Sequence, residues 1–210
     1  MVIIGDIHGQ YSALCRLIEN NIPKDEEIIL VGDVIDRGMW SPECVQYCID
    51  NKFTVVKGNH ESMMVDYYEQ TLLYDNGLWL YNGGRTTALS YRDRKIDWQP
   101  HVDWMKSLPY YIIRDNYFIS HAPMVTNKRK DQEGVEFDLM WNREEPGSRI
   151  KGEEKAYKQV FGHMSNWGVK YFKFSFDEDA SWYGLCVDST QSKMITAYCT
   201  TDGKLYQEPY

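Results

Sequence analysis

Nowhere in the 210-residue sequence do two cysteines form a C-x-x-C pair. The five cysteines, Cys15, Cys44, Cys48, Cys186 and Cys199, are odd in number. They supply neither a zinc ribbon nor a disulfide framework, and free thiols in a reduced compartment are expected. Cys44 and Cys48 stand four apart, the spacing of one helix face. Basic residues are outnumbered: 23 Lys and Arg against 31 Asp and Glu give a formal charge of −8. That balance argues against non-specific nucleic-acid binding, which needs a basic face. No uncharged apolar run approaches the length of a membrane span. The opening Met1-Val2-Ile3-Ile4-Gly5-Asp6 has no basic stretch and meets an acid early, unlike a secretory signal. Low-complexity tracts and repeats of solenoid period are also missing. One globular domain spanning 1–210 is expected, soluble and cytoplasmic.

What is present is a repeated pattern over 1–60. Residues 2–4 are a short apolar run followed by a Gly-rich turn. Residues 11–20 read as a helix with Leu14, Leu17 and Ile18 on one side. Residues 27–31 are a second apolar run, again ended by glycine. Ser41-Pro42 reads as an N-cap with proline at the first helical position, opening a helix to about Asn51. Residues 53–56 form a third strand, closed by Gly58. This is the βαβ grammar of a parallel or mixed sheet. The three loops leave the carboxyl ends of their strands, the edge where open α/β sheets bind ligands.

The stretch 71–107 differs. It carries Trp79, Trp98, Trp104 and Asn82-Gly83-Gly84, and reads as an aromatic-rich helical cap or a substrate-facing insertion. Beyond Pro109 strand signals dominate: 110–114 and 117–120 flank Asp115-Asn116 as a hairpin. Further strands are expected at 159–161, 169–174, 183–187 and 193–199. Residues 144–156 read as a charged loop.

Chemistry concentrates in the loops. Gly5-Asp6-Ile7-His8-Gly9 places an acid and an imidazole two apart just past a strand, where both can chelate one ion; alone it is equally an ordinary polar turn. In Gly32-Asp33-Val34-Ile35-Asp36-Arg37-Gly38, Asp33 suits a carboxylate that bridges two ions. Asp36 suits a group that orients a histidine from behind. Arg37 offers a planar fork for phosphate, or else an ordinary surface ion pair. Gly58-Asn59-His60-Glu61 offers a neutral amide oxygen that could also cap a helix, and a histidine that is a ligand or a proton donor. His121 and His163 each follow a predicted strand, where a lone histidine is more often structural. Together the four weigh more: only His101, read as a surface residue, lies away from a strand end. Asp33 comes 27 residues after Asp6, and Asn59 comes 26 after Asp33. That is one βαβ unit each time, so the loops are neighbours. A set of oxygens and imidazoles without thiolate suits Mn, Fe or Zn better than Ca or Cu(I).

The three loops, as G-D-x-H-G, G-D-x-x-D-R-G and G-N-H-E, resemble the calcineurin-like metallophosphoesterase superfamily. The likeness is strongest to the bacteriophage lambda-type serine/threonine protein phosphatases of the PPP family. Smaller pieces extend it: Tyr81-Asn82-Gly83-Gly84, Ser120-His121-Ala122, Trp141-Asn142-Arg143-Glu144 and Phe161-Gly162-His163. The resemblance implies an α/β fold, a four-layer β-sandwich of mixed sheets flanked by helices. It implies two divalent ions, manganese first among the candidates. Asp6, His8 and Asp33 would hold one, and Asp33, Asn59, His121 and His163 the other. Asp36 would support His60 as proton donor, and Arg37 and Arg143 would grip the phosphate of a phosphoprotein or small phosphomonoester. The two ions would activate a shared water for direct attack on phosphorus, in line with the absence of a C-x5-R cysteine nucleophile. Asp188-Ser189-Thr190 departs from the Asp-Thr-Gly such chains tend to carry. Dinucleoside polyphosphate hydrolases share most of this machinery but usually show G-D-x-x-A-R-G and G-N-H-D; Asp36 and Glu61 favour the monoesterase. A nucleotide or RNA phosphoesterase is a further alternative. A non-catalytic scaffold would be expected to lose ligands or the proton donor, and every position is filled here. If the chain is of phage origin, its place is the host cytoplasm.

Overall fold

The computed structural model describes residues 1–71, 73, 77–125, 129–131, 133–174 and 181–210. The N-terminal elements are β1 (Val2–Ile4), α1 (Tyr11–Arg16, continued by a π-helical turn Leu17–Asn21), β2 (Ile28–Leu30), α2 (Ser41–Asp50), β3 (Thr54–Val55) and α3 (Asn59–Glu69). A π-helical turn Leu80–Gly84, α4 (Arg85–Arg94) and α5 (Gln99–Ser107) follow. Then come β4 (Tyr111–Arg114), β5 (Tyr117–Ser120), α6 (Val135–Trp141) and β6 (Lys158–Phe161). The chain ends with β7 (Lys170–Lys173), β8 (Trp182–Cys186), β9 (Met194–Cys199) and β10 (Leu205–Pro209).

Two five-stranded mixed sheets result, in the orders β10-β9-β1-β2-β3 and β4-β5-β6-β8-β7. In the first, β1, β2 and β3 run parallel; in the second, β5, β6 and β8 do. The strand period of two sorts the side chains. From β1, Ile3 enters the layer between the sheets while Val2 and Ile4 face the helices. Ile29, Val31 and Val56 meet Ile119, Val160, Leu185 and Val187 between the sheets. Leu30 and Val55 face outward onto Leu14, Leu17, Val45 and Met64 of the N-terminal helices. On the far side Phe118 packs with Val135 and Leu139 of α6. Helices, sheet, sheet and helix thus make the four layers. Each fully buried aliphatic side chain contributes roughly 1.5–3 kcal/mol of transfer free energy, so these layers dominate stability.

The described part of segment 71–107 is largely helical and contributes Trp79, Tyr91, Val102 and Met105 to the same core as the N-terminal helices. Residues 72 and 74–76 of that segment lie outside the described residues. Two expectations are corrected and two elements are added. His101 is buried rather than on the surface, with Nδ1 2.7 Å from Tyr91 Oη and Nε2 3.0 Å from Gln46 Oε1. Ser41 sits inside the first turn of α2, and Trp40 occupies the cap position. The Ser41 hydroxyl instead accepts the Asp36 N–H at 3.0 Å, serving the loop rather than the helix end. The second half is mostly β as expected, and within it Val135, Leu139 and Met140 place an unforeseen amphipathic helix on the second sheet. Finally, β10 adds an edge strand, where Pro209 is tolerated for want of a partner on its outer side. Among the described residues, no helix is long and apolar enough to cross a membrane.

Replacing Ile119, fully buried between the sheets, by alanine is expected to cost about 2–5 kcal/mol. Thermal unfolding followed by circular dichroism should show the midpoint fall by several degrees. An unchanged midpoint would contradict the placement of Ile119 in that layer.

Candidate metal centre and cleft

The six parallel strands deliver six loops to one place. Asp6 and His8 follow β1, Asp33 to Arg37 follow β2, and Asn59 and His60 open α3 just after β3. His121 follows β5, His163 follows β6, and Asp188 follows β8. The carboxyl ends of both parallel trios therefore converge, and the ten residues singled out from the sequence lie at or beside one cleft. Asp6, Asp33, Arg37, Asn59, His60, Arg143 and His163 line it, in a volume of about 80 Å³. Arg143 is exposed at its mouth, while the acids and imidazoles beneath are buried.

The loops take up backbone conformations that few residues accept. His8, Asp33, Asp36, Arg37 and His163 all have positive φ, between 48° and 75°. The left-handed region costs a side-chain-bearing residue roughly 1–2 kcal/mol, and such costs cluster where function requires them. Two glycines allow the close approach. A Cβ on Gly58 would collide with the Asp33 carboxylate, and one on Gly162 with that of Asp6. Glu61, fully buried, fixes the strained second loop to the third. Its Oε2 accepts the N–H groups of Asp33 (2.9 Å) and Gly58 (3.0 Å), and its Oε1 that of Val34 (2.9 Å). The first N–H groups of α3 contribute too: His60 N donates to Asp33 Oδ1 at 3.1 Å.

Hydrogen bonds to main-chain carbonyls fix three of the imidazole tautomers. His8 Nδ1 donates to Ile35 O at 3.0 Å and His121 Nδ1 to Val31 O at 2.8 Å. His163 Nε2 donates to Trp141 O at 3.2 Å. A carbonyl oxygen only accepts, so each of these nitrogens carries the proton and the opposite nitrogen presents a lone pair. Those lone pairs face other acceptors. His8 Nε2 is 3.8 Å from Asp6 Oδ2 and 3.7 Å from Asp33 Oδ2. His121 Nε2 is 3.4 Å from Asp33 Oδ1 and 2.9 Å from the Asn59 amide oxygen. His163 Nδ1 is 3.1 Å from that same oxygen. Acceptor against acceptor, buried, is an arrangement that a cation would satisfy; in the metal-free fold the Arg37 guanidinium, 2.7 Å from His8 Nε2, and protons on the buried carboxyls relieve part of it. The residues present therefore fit a divalent metal. Asp33 sends one oxygen to each side, toward His8 and toward His121. Its carboxylate is common to both compact donor groups, His8, Asp33 and His60, and Asp6, Asp33 and His121.

Electrostatics agree. Burial first, then the neighbouring Asp188 and Asp33, pushes the Asp6 carboxyl well above its ordinary range. Burial and Glu61 do the same to Asp33. Burial holds His8 and His121 well below the usual imidazole range, and His163 is brought down to about 3 by burial and the charge of Arg143. Neutral imidazoles beside carboxylates that repel one another are what a cation would draw together.

His60 has a different rear partner. Its Nδ1 is 2.7 Å from Asp36 Oδ2, so its Nε2 looks into the cleft. Arg37 places Nη1 2.7 Å from His8 Nε2 and Nη2 3.4 Å from His60 Nε2. A guanidinium only donates, which independently requires lone pairs at both nitrogens. Burial and Arg37 bring His60 down to about 3, and burial brings Asp36 up to about 7.

Three contributors were not singled out as site residues. Asp188 is buried, lines the cleft and loads Asp6 with negative charge; its position just after the strand run 183–187 was the available signal, shared with His121 and His163. Glu61 served the sequence reading only to separate related activities. Trp79 donates its indole N–H to Asp36 Oδ2 at 2.8 Å, and nothing in its local sequence announces that.

Comparison with known proteins identifies the family. The profile of the calcineurin-like phosphoesterase family matches residues 1–189. Serine/threonine-protein phosphatase 2 of Escherichia coli K12 is 32% identical over 176 residues, covering 77% of this chain and 78% of that protein. Serine/threonine-protein phosphatase 1 of Salmonella typhimurium LT2 is 30% identical over 168 residues, covering 77% and 76%. Among solved structures, a protein provisionally described as a diadenosine tetraphosphatase superposes with a TM-score of 0.66 at 16% identity, over all of this chain and 93% of that one. A Saccharomyces cerevisiae serine/threonine phosphatase gives 0.60 at 17%, over all of this chain and 79% of that one. At such identities these two likenesses speak for the fold alone. With the family profile spanning nine-tenths of its length and such curated relatives beside it, the chain belongs to the calcineurin-like phosphoesterase family, and its chemistry is that of a phosphatase.

Proposed function

We propose that this chain hydrolyses phosphate monoesters on protein serine and threonine side chains, with tyrosine as a further substrate. The observation that carries the reading is the buried set of lone-pair donors turned toward one another beneath two arginines, with an Asp36–His60 pair beside it. The names of the relatives at 30–32% identity support the substrate class. Asp6, His8 and Asp33 would hold one divalent ion, and Asp33, Asn59, His121 and His163 the other; three oxygen-bearing and three imidazole ligands without thiolate suit Mn, Fe or Zn, with Mn(II) taken first. When bound, such ions supply Lewis acidity that lowers the pKa of water and offsets charge on the phosphoryl oxygens.

The remaining work falls to side chains of the chain itself. Arg37 and Arg143 orient the phosphate and stabilise its equatorial oxygens. An incoming phosphate draws the Arg37 guanidinium off the imidazoles and adds negative charge beside His60. Both changes raise the His60 pKa from its low value and let Nε2 carry a proton to the leaving alkoxide. Asp36 keeps the ring turned toward the cleft. A second reading is cleavage of a dinucleoside polyphosphate, a reaction that would use the same metal-holding residues and arginines. The assay that decides uses the purified protein with Mn(II) against phosphopeptides, diadenosine tetraphosphate and a bis-aryl phosphodiester. Turnover of the phosphopeptides above the other two supports the proposal, and preference for the tetraphosphate overturns it.

His60→Asn is expected to lower kcat roughly 10²–10⁴-fold with metal content intact by elemental analysis; loss of metal in that variant would show the assigned role to be wrong. Asp33→Asn should weaken both metal sites, and a variant still binding two equivalents tightly would contradict a shared carboxylate. Metal affinity should also depend on pH in a definite direction. Carboxyls raised by burial keep protons in the metal-free fold, and those protons must leave before a cation binds. The Mn(II)-induced rise in melting temperature should therefore be larger at about pH 8 than at about pH 6. A rise equal at both, read by scanning fluorimetry, would contradict the raised Asp6 and Asp33.

A further inference from the structure

The proton donor is held through a second layer that reaches the aromatic segment. Asp36 is completely enclosed. Its Oδ1 accepts the Thr87 hydroxyl at 2.7 Å. Its Oδ2 accepts two donors, His60 Nδ1 at 2.7 Å and Trp79 Nε1 at 2.8 Å. The oxygen that steers the imidazole is thus also the oxygen gripped by the indole. Trp79 is itself 1% exposed and wedged in place. Its ring lies so close to Gly84 that a Cβ there would collide with it, and Tyr67 packs on it with centroids 4.8 Å apart. The indole has no rotamer freedom to spare.

The same short segment touches the substrate side. Gly83 O accepts the Arg37 N–H at 3.2 Å, and Asn82 lines the cleft. One stretch, 79–87, therefore contacts the phosphate-facing arginine through Gly83 and the His60 partner through Trp79 and Thr87.

We propose that Trp79 is a positioning residue for proton transfer to the leaving group, acting through Asp36 on His60. Its indole N–H locks the Asp36 carboxylate plane and so aims His60 Nε2 at the leaving oxygen. This rests on the reading of His60 as the proton donor. The consequence depends on the leaving group. An alkoxide such as that of serine needs the proton in the transition state, whereas p-nitrophenolate leaves without it.

The test compares Trp79→Phe with the parent protein, both loaded with Mn(II), on a phosphoserine peptide and on p-nitrophenyl phosphate. The expected result is a fall in kcat of about tenfold on the peptide, the scale of one buried hydrogen bond. The change on p-nitrophenyl phosphate should stay under about twofold, with KM and metal content unchanged. Equal loss on both substrates, or loss on neither, overturns the proposal. Should Trp79→Phe fold poorly, the benzothiophene analogue of tryptophan at position 79 keeps the shape and removes only the N–H, and the same split is expected. His60→Asn in the same pair of assays separates the two claims. If it too loses equally on both substrates, the His60 reading fails. If it discriminates and Trp79→Phe does not, only the role of Trp79 fails.

Discussion

One constraint governs the rest: lone pairs of buried imidazoles are held face to face with carboxylate and amide oxygens. Three histidines hand their protons backward to main-chain carbonyls of Ile35, Val31 and Trp141. Their remaining nitrogens turn toward Asp6, Asp33 and Asn59, and at His8 the Arg37 guanidinium also donates into that gap. Such opposition is unfavourable in a low-dielectric interior unless positive charge joins the group. The architecture can be understood as the means of holding that opposition rigidly. Two sheets, each with a parallel trio, aim six strand ends at one point, and the packed layer between them keeps the trios in register. Glu61 ties two strained loops together through three backbone N–H groups. Five residues at positive φ show that backbone comfort yields to side-chain direction there.

The cleft separates two electrostatic tasks. Below, acids and neutral imidazoles form the cation-seeking floor. Above, Arg37 and Arg143 form an anion-seeking rim. His60 stands between them, buried like the floor but facing the rim, and it alone has a carboxylate as its rear partner. That difference in partner, carbonyl for the others and carboxylate for His60, is the geometry on which the proposed role of His60 in proton transfer rests.

Much of this was legible in the sequence, for physical reasons. The strands of the first sheet are short apolar runs stopped by glycine, and the spacings 27 and 26 between Asp6, Asp33 and Asn59 are set by the length of a βαβ unit. The hairpin around Asp115-Asn116 carried its own turn chemistry, with Asp115 at φ 53°. Less was legible where local sequence and tertiary setting diverge. His101 sits in a polar stretch yet is buried, because α5 packs that face against Tyr91 and Gln46. Ser41-Pro42 has the look of a cap, but the Asp36 N–H claims the hydroxyl. The last strand follows the turn residues Asp202-Gly203 and ends on Pro209, a residue that a strand accepts only at an edge, and that edge is set by pairing with β9. Glu61 and Trp79 act through contacts distant in sequence, which no spacing rule reveals.

The most direct test of the central claim is anomalous diffraction from crystals equilibrated with Mn(II). Two peaks are predicted, both within bonding distance of the Asp33 carboxylate, one against His8 and the other against His121 and His163. No peak in the cleft, or one that Asp33 does not touch, would contradict the account.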